Sequence, residues 1–142
     1  MTRRRSIGAI ICLASAFAAC RPKAGLPPNL FPETAAGGWR RLSLRELPVS
    51  EPPDPVPRAA VERLLAASYG GLGALDARVY TLSSPAAARD VTQRWRPSAN
   101  TVFFDRGRLL VVVKWQSADR KLLREFVAGL EKRLADANGG QK

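Results

Sequence analysis

The stretch "RLLVVVKW", Arg108 to Trp115, constrains the fold of this chain more than any other. Successive side chains of a strand point to opposite faces of a sheet, so a β-branched run with no alternation belongs to a central strand covered on both sides. Just upstream, "TVFFD" from Thr101 to Asp105 is a second β-rich run, and the Arg106-Gly107 junction has the spacing of a tight hairpin. Earlier still, "DARVYTL" from Asp76 to Leu82 alternates as a half-buried strand does, behind a turn marked by Gly70, Gly71 and Gly73.

Two helices accompany these strands. Ser84 before Pro85 is an N-cap followed by the residue best tolerated at a first helical position, and Ala87/Ala88, Val91 and Trp95 recur on one face until Pro97. Ser117 is read as the cap of a final helix to about Ala137, with Leu123, Phe126, Val127, Leu130 and Leu134 as its apolar stripe. Asp119 in its first turn and Lys132 and Arg133 near its end suit the helix dipole. Arg58 to Tyr69 carries two patterns: Val61, Leu64, Leu65 and Ser68 fall at helical spacing, whereas pairing with Asp76–Leu82 requires Leu65–Tyr69 to be extended. The reading is a short helical start passing into a strand. "WRRLSLREL", Trp39 to Leu47, alternates only loosely and fits a short strand or a turn of helix. Pro48, Pro52, Pro53, Pro55 and Pro57 exclude a central strand or a helix interior and mark an ordered loop. The expected fold is α+β: an antiparallel sheet in the order β-β-α-β-β-α, with helices packed on one face and the Trp39 segment over part of the other.

The first residues belong to something else. Met1-Thr2-Arg3-Arg4-Arg5, an apolar stretch from Ile7 to Ala19, then Cys20 and Arg21-Pro22-Lys23 make an export signal. As a helix the apolar stretch spans about 20 Å at 1.5 Å per residue, short of the roughly 30 Å hydrocarbon layer. Ala16-Phe17-Ala18 fits ordinary signal cleavage. Phe17-Ala18-Ala19-Cys20 resembles the lipobox of bacterial lipoproteins, with Phe17 where Leu is usual. That resemblance implies two ester-linked acyl chains and an amide-linked third on Cys20, hence stable anchoring to the cell envelope. With no Asp after Cys20, the outer membrane is favoured, the domain lying on its periplasmic face. The boundaries that follow are a signal peptide at 1–19, a lipid anchor and proline-rich tether at 20–32, one α+β domain at 33–138 with its proline-rich loop at 48–57, and a tail at 139–142. "LFPETAAGGWRRLSLRELP", "ARVYTLSSPAAARDVTQRW" and "RLLVVVKW" together resemble a group of small exported bacterial domains of unknown function. That likeness implies an α+β fold in the envelope and supplies no catalytic residue.

Chemistry is narrowed further by what remains after processing. The chain has 142 residues, 2 Cys and no His; processing at Cys20 leaves a single sulfur, which excludes an internal disulfide and a Cys/His zinc site. Ser-His-Asp and Cys-His nucleophiles are excluded too. Asp76, Asp90, Asp105 and Asp119 sit at turns and caps, and Gly70-Gly71-Leu72-Gly73 lacks the Lys-Ser/Thr of a phosphate loop. No cofactor or metal pattern is read. Basic residues number 23 against 12 acidic; setting aside Arg3, Arg4 and Arg5 leaves 20 against 12, a charge of +8 that favours anionic partners. Arg40, Arg41 and Arg45 near Trp39, and Arg94 and Arg96 beside Trp95, are the candidate contacts, weighed against a solvated basic rim around packed aromatics. Trp39 and Tyr80 are candidate walls of a cleft. The expected function is a non-enzymatic, lipid-anchored envelope domain contacting an envelope protein or an anionic glycan or lipid. The alternative is a small-molecule-binding or enzymatic periplasmic domain with a cleft near the proline-rich loop. Export disfavours nucleic acid.

Overall fold

The computed structural model describes residues 26–27 and 29–139. Cys20, the segment before it that reads as an export signal and the first part of the expected tether lie outside the described residues. Eight main elements follow in order: β1 (Thr34–Ala35), β2 (Trp39–Leu47), β3 (Val61–Gly70), β4 (Ala74–Leu82), α1 (Pro85–Arg94), β5 (Thr101–Arg106), β6 (Leu109–Gln116) and α2 (Arg120–Gly139). The strands form one antiparallel sheet in the spatial order β1-β2-β3-β4-β6-β5. Among the described residues no helix is long and apolar enough to cross a membrane.

The α+β class and the antiparallel sheet match the expectation; the order β-β-α-β-β-α does not. Four strands, not two, precede α1. The two that were hard to read carry register shifts, between Arg41 and Ser43 in β2 and between Val61 and Arg63 in β3. A bulge inserts one residue and breaks the two-residue period. In β3 it sets Val61 and Leu64, three apart, on one face, a spacing that imitates a helix. Only Arg58–Ala60 forms a single 3-10 turn; the rest of that segment is strand.

The helices lie on opposite faces, which corrects the expected one-sided packing. Leu75, Ala77 and Val79 of β4 and Val111 and Val113 of β6 pack with Leu123, Phe126, Leu130 and Leu134 of α2. Tyr80 and Leu82 of β4 and Leu110 and Val112 of β6 pack with Ala88 and Val91 of α1. Because these two strands are apolar at both parities, each face of the sheet needs its own cover. Strand β6 is central between β4 and β5 and covered on both sides, as its composition requires.

The helix ends follow local chemistry. The Ser84 hydroxyl accepts from the Ala87 N–H at 3.1 Å, and Pro85 opens α1, as read from the sequence. In α2 the cap is Asp119 and not Ser117: the Asp119 carboxylate accepts from the N–H groups of Lys121 at 2.8 Å and Leu122 at 3.2 Å. Ser117 instead has φ +52°. Since α2 runs to Gly139, Lys132 and Arg133 fall short of its last turn. The β5–β6 hairpin turns at Gly107-Arg108, one residue later than expected, with Gly107 at φ +57°.

Packing also begins ahead of residue 33. Leu30 and Phe31 are buried in the α2-side core. Three consecutive carbonyls there are satisfied by side chains: Arg133 Nε donates to Leu30 O at 3.0 Å, Arg41 Nη1 to Phe31 O at 2.6 Å and Tyr69 Oη to Pro32 O at 2.8 Å. The covalent approach to the domain is thereby bound flat against its α2 side.

Candidate functional site

The proline-rich loop lies on the α1 face of the sheet, and one side chain holds it there. Asp54, the buried charged residue of the core, sits among three strand residues. Tyr80 Oη donates to its Oδ2 at 2.5 Å, Arg78 Nη1 to both carboxylate oxygens at 3.0 and 3.1 Å, and Lys114 Nζ reaches Oδ1 at 2.9 Å. The donors converge because β4 and β6 are neighbours in the sheet with Arg78 opposite Val112 and Asp76 opposite Lys114. Their side chains share the face of Tyr80 by the two-residue strand period.

Burial drives the Asp54 pKa upward, but the hydrogen bonds from Tyr80 and Lys114 and the charge of Arg78 outweigh it, leaving the carboxyl below its ordinary value. Burial and the Asp54 carboxylate both push the Tyr80 phenol well above its ordinary value, so it stays a donor. Both carboxylate oxygens and the Tyr80 hydroxyl are engaged within the cluster, while the Arg78 and Lys114 side chains stay partly exposed. Its chemistry is that of a clamp.

Immediately beyond the clamp, the loop forms one wall of a groove of about 360 Å³, with Pro55 and Pro57 facing Asp90, Val91, Arg94, Trp95 and Arg96 of α1 and its C-terminal extension. The Trp95 indole is stacked on Phe103, centroids 4.6 Å apart and planes at 10°, which fixes the aromatic floor. Its backbone N–H closes the last turn of α1 onto Val91 O at 2.9 Å. Arg94 Nε pairs with Asp90 Oδ1 at 2.9 Å, and Arg96 is exposed with no ion pair among the described residues. A rigid apolar floor with guanidinium groups at its rim can hold an anionic group carried on an apolar or ring-shaped body.

The other predicted positions are distributed differently. Trp39 and Tyr80 are fully buried, Trp39 in the α2-side core and Tyr80 in the α1-side core, so they wall no common cleft. The Trp39 indole N–H has no acceptor among the described residues and packs edge-on to Phe126, centroids 6.3 Å apart. Arg41 is half-buried and bound to the Phe31 carbonyl, which gives it a structural task. Arg40 and Arg45 are exposed on β2, toward the opposite end of the sheet order from β5, against which α1 packs; they do not join Arg94 and Arg96 in one patch. Cys20 lies outside the described residues. Asp54 was missed by sequence reasoning, which placed a cleft near the proline-rich loop but gave it Trp39 and Tyr80 as walls; Arg78 and Lys114, cations on largely apolar strands, are the trace such a buried anion leaves. No family model, curated protein or solved structure matches the chain.

Proposed function

We propose that this chain is an exported, lipid-anchored, non-enzymatic binding domain of the bacterial cell envelope, tied to the membrane through Cys20, outer membrane favoured, that receives an anionic group of an envelope partner in the groove between the proline-rich loop and α1. The observation that carries this reading is the Asp54 clamp. A buried ion cluster adds little net stability compared with apolar packing, and its best-attested use is to select one conformation. Here it holds Pro55 and Pro57 opposite Arg94, Trp95 and Arg96, so the groove exists before a partner arrives.

Anchoring and recognition are tested separately on the full chain. Intact mass of membrane-extracted protein is expected to show acylation at Cys20, and Cys20→Ser is expected to lose that mass and leave the membrane fraction. For recognition, reversing Arg94 and Arg96 to Glu should weaken binding to anionic envelope glycan and to anionic liposomes at least about tenfold. Reversing Arg40 and Arg45 should leave it nearly unchanged, and equal losses in the two pairs would remove the groove from the account. The second reading, a small-molecule-binding or enzymatic domain using the same cleft, is supported by the groove's volume, which falls at the small end of the roughly 300–1,000 Å³ typical of ligand sites. A thermal-shift screen should then show stabilisation that Trp95→Ala abolishes.

A further inference from the structure

On the opposite face, α2 leaves one flank of the sheet uncovered. Two adjoining depressions of about 310 and 550 Å³ run between α2 and the β5–β6 edge and share Trp115, Leu123 and Arg124. The first is floored by Val102 and Trp115 and walled by Val127 and Ala128 of α2, with Glu131 at its far end. The second turns polar toward Asn100, Ser117 and Arg120. The trough is therefore graded along α2, apolar toward Glu131 and cationic toward Arg120. Arg120 and Arg124 are exposed, and among the described residues neither makes an ion pair.

The backbone at the cationic end is unusual as well. Asn100, at φ +65°, and Ser117, at φ +52°, are the two non-glycine residues with positive φ among the described residues, and both line this depression. Such conformations are sparsely populated and concentrate where a ligand is held. The two turns approach through the hydrogen bond from Trp115 N–H to Asn100 O at 3.2 Å.

We propose that this trough binds a free single-chain anionic amphiphile, a long-chain carboxylate in its simplest form, with the acidic head at Arg120 and Arg124 and the tail along Trp115, Val102 and Val127. Charge sets the direction. Glu131 repels an acidic head from the apolar end, while the two guanidinium groups attract it to the other. The combined volume accommodates a flexible chain and remains within the size of ordinary small-molecule sites. This ligand site is separate from the groove beside the proline-rich loop: Trp115 packs with the α2-side core and Trp95 with the α1-side core.

Trp115 makes the proposal directly testable, because bromine atoms on an acyl chain quench an indole only at contact. The experiment uses the full chain carrying Cys20→Ser, so that no acyl chain of its own competes, and 9,10-dibromostearate below its micellar concentration. Saturable quenching is expected, displaced by unbrominated stearate and lost in Trp115→Phe. Ala128→Phe, which fills the trough from an exposed position without adding an indole, should abolish the saturable quenching of Trp115 and serves as an independent variant should Trp115→Phe misfold. Arg120→Gln combined with Arg124→Gln should weaken the carboxylate at least about tenfold and leave the brominated alcohol unchanged. Arg94→Glu combined with Arg96→Glu should have no effect. Quenching that survives in Trp115→Phe would overturn the site. So would equal affinity for acid and alcohol, quenching only by brominated phospholipid vesicles, or concentration-dependent dimerisation that hides Trp115 without ligand; the last two would assign this face to a membrane surface or a second copy.

Discussion

At the scale of single residues, Asp54 decides the most. Its carboxylate is fully buried while Arg78 and Lys114 retain part of their hydration, so its removal leaves two cations without their shared anionic acceptor. Breaking such a pair by removing one partner costs roughly 3–5 kcal/mol, and the partial hydration of the cations places Asp54→Asn near the lower end, about 3 kcal/mol by urea denaturation. The sign of the pH dependence follows from the lowered folded pKa. Stability from Asp54 is fully present above its unfolded value of about 3.9 and is lost as pH falls through the lower folded value. Wild type and Asp54→Asn should therefore converge in stability at strongly acidic pH, whereas a constant gap would contradict the clamp. Tyr69 acts at the other extreme. Burial raises its phenol to about 12 against the opposing pull of Arg133 and Arg41, so its contribution is complete below about pH 10 and is lost as pH rises through the folded value. Tyr69→Phe should remove part of the alkaline loss of stability, as read by a pH series of melting temperatures. None of this shows in the stretch "EPPDPVP", where Asp54 reads as one more solvated loop residue. Its partners lie 24, 26 and 60 positions away on two strands whose register only the sheet defines.

At the scale of elements, caps and turns separate the legible from the hidden. The Ser84-Pro85 start of α1 is readable because cap and first turn are adjacent in sequence and interact locally. At α2 the sequence reading puts the cap at Ser117 and Asp119 in the first turn, whereas the path of β6 into the helix makes Asp119 the cap. Asp119→Ala is expected to cost about 1 kcal/mol, the ordinary value of a lost N-cap. Ser117→Gly should be neutral or stabilising, because glycine adopts φ +52° without strain; a larger loss at Ser117 than at Asp119 would reverse the assignment. Gly73 shows the opposite constraint. It has φ +102°, and an added Cβ would lie 2.8 Å from Ser117 O, so Gly73→Ala should destabilise by more than the few tenths expected of an exposed turn. The β2 and β3 bulges are the elements hardest to read in advance, since one inserted residue converts a strand's alternation into a spacing that a helix also produces.

At the scale of the whole molecule, the sheet separates two cores, and this arrangement has a measurable consequence. Val91→Ala on the α1 side and Leu130→Ala on the α2 side each remove buried carbon from different clusters, at a cost of about 2 kcal/mol apiece. The losses should add within about 0.5 kcal/mol in a double variant measured by denaturation. Helices sharing one face would instead couple. The sequence by itself determined that β6 is central, that β5 and β6 form a hairpin, that a helix follows Ser84, and that the fold mixes α and β; each rests on composition or on contacts between near neighbours. Only the tertiary structure decided which face each helix covers, that Trp39 and Tyr80 are packing residues on opposite sides, that Arg41 holds the incoming chain, and that Arg78, Tyr80 and Lys114 meet at Asp54. Those outcomes depend on strand register and on a bulge's change of parity, and a shift of one residue in either sends every side chain of a strand to the other face.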